Sequence, residues 1–260
     1  MWYVITIALL AGVGLILFML KEAFANRVIQ NEVFFHDFPE SFGEIKIFFI
    51  SDIHKRVISE DLIQKVLDMK PDIVIIGGDL MEKRVPFERV KNNIDTLKKL
   101  GPVYFVWGNN DYEVDFRKLD AMLLHLGVKI LDNTAVSFES IEGDRLILIG
   151  VDDINQKRDD LELALQDIET DGFKILISHN PNIVSKIKKE HNIHLVLSGH
   201  THGGQIHILG YSPYKKGTIK KLKQTTLLIS NGYGTTALPF RLGAKAETHI
   251  IKIKNSSHFN

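Results

Sequence analysis

Apolar positions along the chain fall into two kinds of pattern. The first twenty residues, MWYVITIALLAGVGLILFML, are apolar apart from Thr6 and the glycines, and carry no charged side chain. At about 1.5 Å of rise per residue this run makes a helix of roughly 30 Å, the thickness of a bilayer's hydrocarbon layer. From Glu44 onward, short β-branched runs alternate instead with amphipathic stretches of helix length. Strands are predicted at residues 45–50, 72–76, 103–107, 145–151, 173–178, 194–198 and 226–230. Helices are predicted at residues 60–69, 87–100, 115–126, 159–169 and 183–190, with Pro71, Pro86 and Pro181 at their edges. Residues 206–254 are poorer in helix signal and richer in short strands and turns. Strand–helix alternation followed by extra strands implies an α/β domain in which one sheet packs on another.

Three segments follow from this pattern: a transmembrane anchor at residues 1–20, a juxtamembrane linker at 21–43, and a domain at 44–260. Ala23-Phe24-Ala25 has the small-x-small look of a signal-peptide cleavage site. The apolar run is longer than a signal h-region and lacks a basic segment before it, which favours an anchor in the cell membrane, crossed once. Lys21 and Arg27 follow the run, a slight lean toward a cytoplasmic domain.

Charge and cysteine content narrow the chemistry. The 260 residues carry 32 basic and 32 acidic side chains and no cysteine. Disulfides, iron–sulfur clusters, thiolate-bound zinc and a thiol nucleophile are thereby excluded. Net neutrality argues against a globally basic nucleic-acid binder.

Polar, metal-competent residues recur just after the predicted strands, where open α/β sheets bind their ligands. The first strand is followed by Asp52-Ile53-His54, the second by Gly78-Asp79 and the third by Gly108-Asn109-Asn110-Asp111. Later strands lead into Ser178-His179-Asn180 and Gly199-His200-Thr201-His202. In extended backbone, positions i and i+2 face the same side, so Asp52 and His54 can share one cation. An isolated Asp or His after a strand is usually a cap or turn residue. Five of the seven strand ends presenting a ligand type in succession do not fit that reading.

This ordered set resembles the calcineurin-like metallophosphoesterase superfamily, with its pattern DxH, GD, GN(H)(D/E), H and GHxH. The N-terminal anchor, Gly203-Gly204-Gln205 and the Ser230–Gly234 stretch followed by Pro239-x-Arg241 resemble membrane-associated bacterial members. The resemblance implies a four-layer αββα sandwich holding two divalent metal ions, Mn, Zn or Fe. It assigns Asp52, His54 and His202 to one ion and Asn109, His179 and His200 to the other, with Asp79 bridging. Two cations about 3.5–4 Å apart need an anionic bridge, and oxygen and imidazole ligands suit borderline ions. A metal-bridging hydroxide attacking phosphorus would need no protein nucleophile.

One departure matters. The family usually has His after the motif Asn, and that ring protonates the leaving oxygen; here the position is Asn110. An amide cannot act as a general acid near neutral pH, a contribution of roughly 10²–10⁴-fold. It can still hydrogen-bond a phosphoryl oxygen, and Asn110 is the catalytic candidate in that sense. The expected substrate is therefore a phosphodiester or pyrophosphate, on a phosphorylated small molecule or a lipid-linked compound. Two other readings stay open: a non-catalytic metal-binding regulatory domain of the same fold, favoured only by Asn110, and a nuclease, disfavoured by the neutral charge and the anchor. Arg241 is a candidate for a phosphate contact or an ion pair with Glu247. Asp152 and Asp153 read as loop-structuring. Lys215, Lys216, Lys220, Lys221 and Lys223 form either a solvated loop or a basic rim facing anionic lipid.

Overall fold

A computed structural model describes residues 1–259 of the chain. An apolar helix α1 (Trp2–Ala23) precedes two six-stranded sheets packed face to face. The first sheet runs β1 (Val28–Phe35), β12 (Thr248–Asn255), β2 (Glu44–Ile50), β3 (Ile73–Ile76), β4 (Val103–Phe105) and β5 (Lys129–Ile130) in spatial order. The second runs β10 (Thr218–Lys221), β11 (Thr226–Ile229), β9 (Ile193–Ser198), β8 (Phe173–Ile177), β7 (Arg145–Gly150) and β6 (Thr134–Glu139). The central strands β2 to β5 and β7, β8, β9 and β11 are parallel.

Side-chain alternation along the strands builds three cores. In β2, Ile47 and Phe49 face the second sheet, where they meet Ile175, Leu197 and their neighbours. Phe48 and Ile50 point the other way, onto helices α2 (Glu60–Leu67), α3 (Phe87–Leu97) and α4 (Phe116–His125). The outer face of the second sheet is covered by α5 (Leu161–Gln166) and by two short 3-10 turns. The result is the sheet-on-sheet α/β domain expected from the strand–helix order, in the αββα layering that the resemblance implies, with the C-terminal ends of the parallel strands meeting at one edge.

Two expectations change. The stretch read as a linker, residues 21–43, contains β1, which pairs in parallel with β12 from Val28↔Thr248 to Phe35↔Asn255. Its alternating face is only partly buried, and its partner lies more than 200 residues away, so local patterning could not reveal the pairing. The expected helix at 183–190 is instead two 3-10 turns, Pro181–Lys186 and Lys189–His191, interrupted where Ile187 adopts extended backbone.

Helix α1 is the one described helix long and apolar enough to cross a membrane. It meets the body at its C-terminal end. Arg56 donates to the carbonyls of Ala23, Phe24 and Ala25 and to Asn26 Oδ1, and its guanidinium lies 3.6 Å from the Tyr233 ring centroid. The Arg241 N–H donates to Met19 O, and Arg27 pairs with Glu22 at 2.6 Å.

Candidate metal centre

Five of the seven candidate ligands hold left-handed backbone: Asp52, His54, Asp79, His200 and His202 have φ between 50° and 69°. For residues with a Cβ this costs about 1–2 kcal/mol each and persists only where the surroundings enforce it. Here the loops are laced together. Asp52 N–H donates to Gly78 O, His54 N–H to Asp79 O, and Gly234 N–H to Asp52 O. Close approach also requires two glycines. A Cβ on Gly108 would lie 2.3 Å from Asp79 Oδ1, and one on Gly199 2.4 Å from Asp52 Oδ2.

The side chains converge on a buried point at the sheet edge. Asp52, His54 and His202 present ligand atoms within 4.8 Å of one another, as do Asp52, Asp79 and His179. His54 Nε2 is 3.0 Å from His202 Nε2, and His202 Nε2 is 3.4 Å from Asp52 Oδ1. Asp79 Oδ2 lies 3.2 Å from His179 Nε2 and 3.7 Å from His54 Nε2, between the two groups. His200 Nδ1 stands 3.3 Å from His179 Nε2. Asn109 joins through its neighbour: Asn110 N–H donates to Asp79 Oδ1 at 2.8 Å, and the buried Asn109 Oδ1 has no hydrogen-bond partner. The Asn110 side chain is engaged locally, donating to Glu113 and accepting from Asn109 Nδ2.

A hydrogen bond behind His179 and a carboxylate behind His54 back the two rings. His179 Nδ1 sits 2.8 Å from Gly77 O, which can only accept, so Nδ1 carries the proton and Nε2 offers a lone pair to the centre. His54 Nδ1 lies 3.0 Å from Glu82 Oε2, and Lys55 Nζ 2.5 Å from Glu82 Oε1. Glu82 is a positioning residue that sequence patterning missed; only its place three residues after Asp79 hinted at it.

Asp111 lies behind the ligand loops, fully buried. It accepts from the backbone N–H groups of Asp79 (2.9 Å), Met81 (3.0 Å) and Gly108 (2.9 Å), tying the loop after β3 to the loop after β4. Burial first, and then the neighbouring Asp79 carboxylate, hold its carboxyl well above the usual range. Burial pushes His202 down to about 4. Burial also disfavours a charged His179, but the Asp79 carboxylate outweighs it and raises the ring well above its ordinary value.

Arg241 serves differently from either expectation. It is buried and donates to the carbonyls of His202, Ala244, Asn231, Gly232 and Gly234, so it shapes the loop pressed on Asp52 and contacts neither solvent nor Glu247. Glu247 instead accepts from Asn231 N–H and lies 3.6 Å from His249. Asp152 receives the Tyr112 hydroxyl (2.7 Å) and Arg158 Nε (2.6 Å), a loop-structuring role.

The donor set fits divalent cations. Imidazole lone pairs and carboxylate oxygens crowd together in a buried site, which is repulsive without positive charge, and Asn109 Oδ1 lacks a donor. A calcineurin-like phosphoesterase profile matches residues 45–204, the stretch that supplies all these side chains. The chain belongs to the calcineurin-like phosphoesterase family. Among its relatives, the uncharacterized protein YpbG of Bacillus subtilis is 46% identical over 228 residues, covering 86% of this chain and 88% of that protein. A transmembrane protein with metallophosphoesterase domain from Danio rerio is 29% identical over 96% of this chain and 61% of its own length. The sulfate thiohydrolase SoxB of Thermus thermophilus, 14% identical, shares the fold with a TM-score of 0.53 over 82% of this chain and 57% of that one. As a calcineurin-like phosphoesterase the protein is a metal-dependent hydrolase, and the family typically binds two divalent metal ions.

Proposed function

We propose that the protein is a membrane-anchored phosphohydrolase that cleaves a phosphodiester or pyrophosphate bond, with two divalent ions drawn from Mn²⁺, Zn²⁺ and Fe²⁺. The observation that carries this reading is the convergence of Asp52, His54, Asp79, His179, His200 and His202 at one buried strand edge. In this assignment Asp52, His54 and His202 hold one ion, Asn109, His179 and His200 the other, and the Asp79 carboxylate faces both. Bound ions of this kind supply Lewis acidity and an acidified water.

The chain's own residues set what can react. Gly77 O and Glu82 hold His179 and His54 with Nε2 inward, so neither ring must reorient on loading. Asn110 Nδ2 engages Glu113 through one N–H, leaving its second N–H for a phosphoryl oxygen, but an amide has no proton acidic enough to give a leaving alkoxide. Bonds with stable leaving groups, such as aryl esters, anhydrides and activated diesters, are favoured accordingly.

Helix α1 supports the anchor, as does the name of the Danio rerio relative. Arg27 is neutralised by Glu22, so Lys21 is the charge that leans the catalytic domain toward the cytoplasm.

The test uses the full chain in nanodiscs, because β1 precedes residue 44. Metal content and hydrolysis of an aryl phosphodiester and an alkyl monophosphate are compared among wild type, Asp79→Asn and Asn110→His. Wild type should cleave the diester and spare the monoester. Asp79→Asn should lose metal and turnover together, and Asn110→His should gain monoesterase activity. Unchanged metal content and turnover in Asp79→Asn would remove the central assignment.

A further inference from the structure

Beside the histidines opens a cavity of about 380 Å³, and its lining is unlike a site for a small polar phosphate. His200 and His202 form one end, and Ile206, Pro213, Tyr214 and Leu238 form the walls. A second, smaller cavity shares Ala237 with it and runs to Ala23 and Phe24, at the end of α1. Ala237 thus lies between a cavity at the end of the one described helix of membrane length, lined also by Lys55 and Arg56, and the cavity beside the candidate metal centre. The strap carrying this wall is fastened to the helix as well: His207 N–H donates to Leu242 O, Leu242 N–H to Gln205 O, and Arg241 N–H to Met19 O.

The same strap ends in an exposed apolar tip. Ile208 and Tyr211 close a tight turn through reciprocal backbone hydrogen bonds, with Leu209 and Gly210 at its apex in left-handed backbone. Leu209 is 94% exposed, Tyr211 83% and Ile208 69%, while Leu238 on the groove's lip is 57% exposed. Lys215, Lys216, Lys220, Lys221 and Lys223 follow directly, all exposed. Apolar side chains beside a lysine cluster suit the boundary between acyl chains and anionic headgroups.

We propose that the substrate is a phosphorylated membrane lipid whose acyl chain lies in the groove formed by Ile206, Pro213, Tyr214, Ala237 and Leu238, with its phosphate at His200 and His202. The 208–211 tip and the lysines seat the groove's mouth on the bilayer that α1 enters. The inference rests on the phosphohydrolase reading above. Water is the co-reactant: the P–O bond to the headgroup substituent or outer phosphate breaks while the lipid stays on phosphorus, one P–O bond forms to the water oxygen, and the water's proton goes to the leaving oxygen.

Two measurements separate the inference from that reading. In the first, the Mn²⁺-loaded full chain in phosphatidylglycerol nanodiscs is given p-nitrophenyl ethyl phosphate and p-nitrophenyl hexadecyl phosphate, which share a leaving group. The hexadecyl ester should have a kcat/KM at least about tenfold higher, and Leu238→Asp and Ile206→Asp should each collapse that ratio. Equal values for the two esters in wild type, or a ratio indifferent to both substitutions, would overturn the lipid inference while leaving phosphohydrolase activity standing. The second measurement needs no turnover. Nanodiscs containing a phosphatidylglycerol with a diazirine in its acyl chain are photolysed, and labelled peptides are mapped by mass spectrometry. Labels on residues 204–206 and 236–238, reduced by Leu238→Asp, support the groove even if neither ester is cleaved. Labels confined to α1 or to the tip at Leu209 would show membrane contact without an occupied groove and would overturn the proposal.

Discussion

Glu82 offers the sharpest test of how the candidate metal centre is held. Its Oε2 lies 3.0 Å from His54 Nδ1, and Lys55 holds the other oxygen at 2.5 Å. Burial works against its charge, but His54 and Lys55 outweigh burial and keep its carboxyl below the ordinary value. It stands behind the ring as an ion-pair partner without hydrogen-bond geometry to Nδ1, while His54 Nε2 lies 3.0 Å from His202 Nε2 and 3.7 Å from Asp79 Oδ2. In Glu82→Ala the ring loses the carboxylate behind it, and a ring flip that puts carbon in place of nitrogen is no longer opposed. Loss of such a partner behind a metal ligand weakens binding about 10–100-fold, or about 1.4–2.7 kcal/mol at 1.36 kcal/mol per factor of ten. Glu82→Gln keeps an oxygen that can accept from Nδ1 and should fall at the mild end of that range. Lys55→Ala removes a half-exposed partner and should change binding little. Free Mn²⁺ followed by electron paramagnetic resonance during titration of the full chain resolves these cases. The loss should fall on one site, the one formed with Asp52 and His202. If Glu82→Ala binds two Mn²⁺ within about twofold of wild type, then Glu82 does not orient His54.

Three further predictions concern the frame. Asp111→Asn keeps the shape but presents an NH₂ group to backbone donors that now share a carboxylate. A loss of about 2–4 kcal/mol, or about 5–15 °C in Tm, should appear in thermal unfolding; a Tm within a degree or two of wild type would refute the three-donor account. Arg56→Ala removes the donors to residues 23–26 and the cation over Tyr233. Hydrogen exchange at residues 23–27 should accelerate by about tenfold or more while the strand core stays protected, and unchanged exchange there would show that α1 is docked by other contacts. Partial burial of Glu247 opposes its charge, yet His249 and the Asn231 N–H hold its carboxyl below the ordinary value. Its stabilisation is therefore present above pH 4.5 and is lost as pH falls through the lowered folded value. Glu247→Gln should be about 1–2 kcal/mol less stable at pH 7, with the gap from wild type narrowing in denaturant melts taken below pH 4.5; a gap that widens in acid would reverse the assignment.

The distribution of what could be read from sequence follows from where each interaction is made. Asp52, His54, Asp79, Asn109, His179, His200 and His202 each sit two to four residues beyond the end of a buried strand. Parallel strands deliver such residues to a common edge whatever the loops do, so the cluster was legible before any coordinate. Glu82, Asp111 and Arg241 act across loops instead. Each binds partners on other loops of the fold, and nothing in its own neighbourhood marks those partners. The edge strands were hidden for a related reason: β1 and β6 are half-exposed, so their apolar alternation is diluted, and β1 gains its meaning only beside β12. That last pairing also recasts the anchor. Arg56 and Arg241 bind the end of α1, and only four residues, 24–27, separate the helix from β1 in the sheet. The helix is thus held to the body of the domain at its C-terminal end, beside the cavity that shares Ala237 with the apolar groove.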